Sequence, residues 1–155
     1  MSTYGYPNPL NQISMFVLLD RLGGAGGPEI PSYIQTSAWA YRAMSTVEAR
    51  MRLLGLLETR PARHFLPQTG KRAAEFTLPP RGNDHEPFME RGVPVLALYP
   101  EDDGAAGEPD DDGGRLDPAA VRDWARIVTG FALEWLDMME VEPVQARRRA
   151  ARRER

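Results

Sequence analysis

Ile13-Ser14-Met15-Phe16-Val17-Leu18-Leu19-Asp20 is the stretch on which the fold turns. Its apolar residues follow one another without alternation, as in a strand buried on both faces of a parallel or mixed sheet. The run stops at Asp20, and Gly23-Gly24-Ala25-Gly26-Gly27-Pro28 then breaks the chain. That glycine stretch lacks both the Lys-Ser/Thr of a phosphate loop and the spacing of a dinucleotide fingerprint, so it reads as a flexible loop. A second run of the same kind, Val93-Pro94-Val95-Leu96-Ala97-Leu98-Tyr99, predicts a second strand. Pro94 is tolerable near its start, where one ladder bond is lost.

Between the two strands the spacing predicts a helix over 38–57, capped by Thr36 or Ser37. Trp39/Ala40, Ala43/Met44, Val47, Met51 and Leu54 would face inward, with Arg42, Glu48, Arg50 and Arg52 outward. Residues 60–84 are rich in Pro and Arg and read as a long loop with one short element near 73–76. Asp117-Pro118 is a strong helix start, a capping carboxylate followed by proline in the first turn. Val121, Trp124, Ala125, Val128, Phe131, Ala132, Trp135 and Leu136 make an apolar stripe, and the helix is expected to run to about Met139. Residues 1–12 form an irregular lead-in, 13–140 an α/β domain portion, and 141–155 a basic disordered tail with six arginines from Arg147 onward.

With 155 residues, 42% of them hydrophobic, the chain is long enough for one domain with a real core. No run approaches the roughly 20 apolar residues of a membrane span, and no signal peptide is read near Met1. The absence of cysteine excludes disulfides, thiolate metal sites and a cysteine nucleophile. A net charge of −3 argues against a nucleic-acid binder.

Chemistry has few candidates. His64 and His85 are the whole imidazole inventory, whereas a catalytic zinc takes three protein ligands and an open position. His85 follows Asp84 just before the second strand, either as part of a site or as a polar turn; His64 reads as a surface residue. The acidic stretch from Glu101 to Gly114 fails the calcium-loop frame. With Glu108 in first place, Ala119 stands where a bidentate Glu is required. Asp20 ends a buried strand, where ligands of α/β sheets gather, and a carboxylate there can act as a base or orient an amine. The alternative for Asp20 is a cap of the following turn.

The stretches SMFVLLDRLGGAG (14–26), AWAYRAMSTVEARMRLLGLLE (38–58), NDHEPFMERGVPVLALYP (83–100) and DDDGGRLDPAAVRDWARIVTGFALEWLDM (110–138) resemble, in that order, the glutaminyl-peptide cyclotransferases. These are glutaminyl cyclases of the zinc aminopeptidase (M28-like peptide hydrolase) superfamily, and the wording is closest to fungal members. The resemblance implies a partial three-layer fold: the C-terminal portion of a zinc-aminopeptidase-like (phosphorylase/hydrolase-like) domain, with a mixed sheet flanked by helices. It implies zinc as cofactor and peptides or proteins with N-terminal Gln as partners. The terminal amine attacks its own side-chain amide, giving pyroglutamate and ammonia, while zinc polarises the carbonyl and carboxylates move the proton. It also implies a secretory, vacuolar or extracellular setting.

Carried over by resemblance, Asp20 matches an active-site aspartate, and Asp84 stands as the second catalytic carboxylate. His85 and Phe88 fall on the substrate side. Asn83 replaces a family Asp, Ala97 replaces the histidine of the second strand, and residues 103–109 lack the Trp-His-Thr that holds the last zinc ligand. Glu108 falls near that ligand position without support as a substitute. The Asp, the Glu and the catalytic glutamate of the family belong to a preceding half. The sequence therefore predicts a truncated, catalytically impaired homologue with no metal ligands of its own, completed by a missing N-terminal half or a protein partner. A non-catalytic interaction module and a zinc peptide hydrolase are the alternatives.

Overall fold

The computed structural model describes residues 9–61, 63–76, 83–101, 114 and 116–138. Both apolar runs form strands, each shorter than the run that encodes it: β1 is Phe16–Leu19 and β2 is Val95–Leu98. They pair in parallel, Phe16 opposite Val95 and Leu19 opposite Leu98. Two further bonds lengthen the ladder, from the Phe16 N–H to the Pro94 carbonyl (2.8 Å) and from the Asp20 N–H to the Leu98 carbonyl (3.0 Å). Among the described residues the sheet has these two strands and is wholly parallel, so the antiparallel member of a mixed sheet is not found there.

Parallel strands need a crossover, and it contains helices α1 (Ala38–Leu53) and α2 (Glu86–Met89); α3 (Pro118–Trp135) follows β2. The side chains of β2 alternate between two clusters. Leu96 and Leu98 pack with Tyr41, Met44 and Val47 of α1 and Trp124, Ile127 and Phe131 of α3. Val95, Ala97 and Tyr99 pack with Leu18, Tyr33 and, from α2, Phe88 and Met89. Helical segments thus cover both faces of a parallel pair, the α/β arrangement that unalternating runs require. Pro9–Gln12 is a short 3-10 turn rather than irregular chain. Residues 141–155, read as a basic tail, lie outside the described residues.

Helix α1 ends earlier than its apolar pattern. Gly55 at φ 65° accepts the left-handed turn, with the Leu56 N–H bonded to the Met51 carbonyl and the Gly55 N–H to that of Arg52. This 6→1, 5→2 pair is the Schellman termination, for which glycine is the favoured residue. Leu54, expected inward, consequently points to solvent, and Trp39 is also exposed. At the end of α3 the same termination recurs, with Asp137 in the left-handed position at φ 53°.

The buried face of α3 is rotated from the expected stripe. Ala120, Asp123, Trp124, Ile127, Gly130 and Phe131 are inside, whereas Val121, Trp135 and Leu136 are exposed. Gly130 explains part of this. A Cβ there would lie 2.6 Å from Met51 Cε and 3.0 Å from Val47 Cγ1, so its absence lets α1 and α3 approach.

Two buried acids order the long crossover. Glu48, expected on the outer face of α1, is 0% exposed. It accepts the N–H groups of Phe65 (2.8 Å) and Leu66 (3.1 Å), and its charge is paired with Arg52 Nε at 2.8 Å. Asp123 does the same for Glu58 and Thr59. Unpaired backbone N–H groups are costly to bury, and each carboxylate satisfies two in succession. That is why a Pro- and Arg-rich stretch without long elements is held against the core.

Candidate functional site

The carboxyl ends of β1 and β2 gather the polar groups that the sequence singled out. Asp20 directly follows β1, with its side chain about one-third exposed, and forms an ion pair with Arg21 Nε at 3.5 Å. Arg21 adopts φ 51°, a left-handed conformation that an L side chain rarely takes. Such a conformation persists only where the surroundings over-determine it, and it frequently marks functional sites. The loop after Arg21 is tied to α3. Asp117 caps that helix by accepting from Ala119 and Ala120, as its Asp-Pro start predicts, and also accepts the Gly26 N–H at 3.0 Å. Its own N–H donates to the Gly23 carbonyl at 2.8 Å. The bond from Gly26, followed by those from Ala119 and Ala120, holds the Asp117 carboxyl below its usual range. The glycine stretch is therefore a fastened turn in the structure.

At the end of β2, Tyr99 stacks on Tyr33 with ring centroids 4.3 Å apart, and the Tyr33 hydroxyl donates to the Tyr99 carbonyl at 3.0 Å. Burial pushes the Tyr99 phenol up to about 12; the Arg21 charge counters this and the Asp20 charge adds to it. Asp20, Arg21 and the two tyrosines thus form one electrostatic neighbourhood. Beside Tyr99 and Pro100 opens a cavity of about 290 Å³ lined by Pro28, Glu29, Pro67, Gln68, Pro100 and Glu101. Rigid prolines and two carboxylates give it a preformed wall that suits a polar chain segment.

The third group arrives from the turn before β2. Asn83 is half-buried, Asp84 is exposed, and the Asp84 N–H donates to Asn83 Oδ1 at 3.1 Å. The short helix α2 is preceded by His85, whose side chain makes no cap bond. His85 is fully buried, its ring centroid 6.1 Å from that of Tyr99. Burial lowers its pKa, against smaller opposing effects of Glu86 and Asp84. Phe88 stacks on Phe16 of β1 at 4.2 Å. His85 and Phe88 accordingly share the sheet face with Ala97 and Tyr99, Asp84 looks to solvent, and Asp20 stands at the strand end. His64 is exposed, as read from sequence.

Among the described residues, no group of three His, Asp or Glu side chains stands close enough together to hold a metal ion. Residues 103–109, where a zinc ligand was sought, lie outside the described residues. Among the described residues no helix is long and apolar enough to cross a membrane. The sequence reading passed over Tyr33, which sits in the Pro-flanked segment Ile30–Ile34 with no period to announce it. It noted Tyr99 only as the end of a strand.

No family model matches the chain. Curated proteins do. The chain is 32% identical over 133 residues to a glutaminyl-peptide cyclotransferase-like protein of Mus musculus, covering 85% of this chain and 33% of that protein. It is 33% identical over 130 residues to the like-named protein of Bos taurus, covering 83% and 32%. It is 34% identical over 137 residues to a glutaminyl-peptide cyclotransferase of Drosophila melanogaster, covering 82% and 37%. The resemblance to the glutaminyl-peptide cyclotransferases, though not its closeness to fungal members, is borne out in these names, and the chain spans about a third of the length of the curated relatives it matches.

Proposed function

We propose that this chain, a homologue of the glutaminyl-peptide cyclotransferases, is the C-terminal portion of such a domain over residues 13–140 and keeps its frame with its reaction impaired. The observation that carries the reading is Ala97, buried in β2 between Val95 and Tyr99, where the resemblance puts a histidine. Asn83 supports it, because an amide can neither give up nor accept a proton as the family's carboxylate does. The described residues do not fit the zinc that the family implies.

What the frame still offers is a place for a peptide end. Asp20 is positioned to pair with an α-ammonium, although Arg21 competes for the same carboxylate. Asp84 and Phe88 stand on the segment that faces this end of the sheet, and His85 lies behind them. The three-layer mixed sheet, completed by a preceding half or a protein partner, and a secretory, vacuolar or extracellular setting belong to the same reading.

The test is ammonia release from a peptide with N-terminal Gln, with the full chain alone and with one equivalent of zinc. The expected rate equals the uncatalysed one in both. Turnover above it in either would overturn the reading.

A second reading, a non-catalytic interaction module, is favoured by one observation: Leu53, Leu54 and Leu56 are exposed in close succession at the end of α1. Sedimentation of the purified chain separates the two readings. A concentration-independent monomer counts against the interaction module.

A further inference from the structure

We infer that the segment Asn83–Gly92 is an acid-released flap, held over the sheet by burial of a neutral His85 against Tyr99. His85 is 0% exposed, and among the described residues neither Nδ1 nor Nε2 has a hydrogen-bond partner. The Tyr99 hydroxyl, on the ring facing it, is likewise buried and unpartnered. Buried polar atoms are nearly always paired, and a group of exceptions in one place calls for a cause. A neutral imidazole tolerates this setting at modest cost. An imidazolium would bring a charge and a second donor into a place that answers neither.

The groups around the ring are few. From β2 comes the Tyr99 phenol, uncharged at any physiological pH, with Tyr33 stacked behind it. From its own segment come the flanking carboxylates Asp84 and Glu86, which favour the proton, while burial opposes it more strongly. The segment is also short and lightly held, so that its own turn bonds do not outlast its detachment. Its only helix, α2, has four residues, and its grip on the sheet is the Phe88–Phe16 stack with the packing of Phe88 and Met89 on the cluster of Leu18 and Ala97. It ends at Gly92, whose φ of 80° favours glycine. Because it carries Asn83, Asp84 and Phe88, its release takes the strand-end site apart. The inference stands independently of the reaction assigned to that site.

The direction with pH follows from linkage. The closed form binds the proton less readily than the open form, whose imidazole titrates near ~6.5. Closure is therefore at full strength above about pH 6.5. As the pH falls below that value, the opening constant rises by up to about tenfold per unit until the closed-form pKa is passed. Amide exchange by NMR reads this at the N–H groups of Met89, Glu90, Arg91 and Gly92, which bond within the segment. At pH 7.5, 6.5 and 5.5, corrected for intrinsic rates, protection there should fall up to about fivefold over the last unit. That of Ile127 in α3 should stay level. In His85→Phe the pH dependence should vanish. Unchanged protection in the native chain, or the same fall in His85→Phe, would refute the flap. Should the variant fail to fold, the native chain still decides. The His85 ring itself must titrate below the ~6.5 of a free imidazole; titration at that value would sink the idea.

Discussion

Removing the carboxylate of Asp123 should unfasten the crossover from α3. The side chain is 0% exposed. Its Oδ1 accepts the Glu58 N–H at 2.8 Å, and its Oδ2 accepts the Thr59 N–H at 2.8 Å and the Thr59 hydroxyl at 2.7 Å. Arg126 Nη1 completes the set at 3.2 Å. In Asp123→Ala the hydroxyl can turn to water, but two backbone donors lose their acceptor. At about 1–3 kcal/mol for each unsatisfied group, the expected loss is about 2–6 kcal/mol. With about 2–4 °C per kcal/mol at this chain length, Tm should fall by roughly 4–24 °C. Asp123→Asn keeps the shape and one oxygen yet turns an NH₂ toward either the Glu58 or the Thr59 N–H, so it should cost about 1–3 kcal/mol. Urea unfolding followed by tryptophan fluorescence measures both, through a shifted midpoint at constant slope. Burial raises the pKa of this carboxyl, but the bonds from Glu58 and Thr59 and the Arg126 charge outweigh it and leave it lowered. Its contribution is thus present above the unfolded carboxyl's ~3.9 and disappears as the pH falls through the folded value. The alanine variant should accordingly lose less stability than the native chain on acidification. A loss below about 0.5 kcal/mol for Asp123→Ala, within the range of an ordinary surface change, would refute the stapling role.

Glu48→Gln retains the volume but removes the charge that Arg52 pairs with and one acceptor for Phe65 or Leu66. An expected loss of about 2–4 kcal/mol in urea unfolding should come with faster amide exchange at Phe65 and Leu66. In the opposite direction, Asp137→Gly relieves a left-handed residue at the end of α3. It should raise stability by about 0.5–1 kcal/mol, read as a higher urea midpoint.

The strands and the start of α3 were legible because their signals are local. Unalternating apolar runs need no knowledge of the partner strand, and Asp117-Pro118 carries its capping geometry within four residues. The end of α1 was also local, since Gly55 interrupts the pattern where the helix stops; counting Leu54 into the apolar face and running the helix to 57 overrode it. Glu48 and Asp123 were illegible for a different reason. Amid Arg42, Arg50 and Arg52, or beside Arg122, an acid reads as part of a solvated face, and what buries it is the backbone of residues 17 and 65 positions away. At the site, the position of Asp20 could be read from the end of the β1 run. The burial of His85 could not, because it depends on Tyr99 across the fold, and the left-handed Arg21 has no signature in residue type.

The devices that hold the strand-end site are separate from the positions on which the proposed loss of the reaction rests. Asp20 is positioned by its N–H bond to Leu98 and by the turn that Asp117 fastens to α3. None of these contacts involves Asn83 or Ala97. Position 97 itself is an interior one, packed with Leu18, Tyr33, Val95 and Tyr99. An imidazole there would need a hydrogen-bond partner to offset its desolvation, whereas a methyl group needs none. Exchanging a working histidine for alanine at such a place removes a polar liability from the core. On the proposed reading, a frame of this kind keeps its strands, its caps and its aspartate without the chemistry, because stability and activity draw on different side chains.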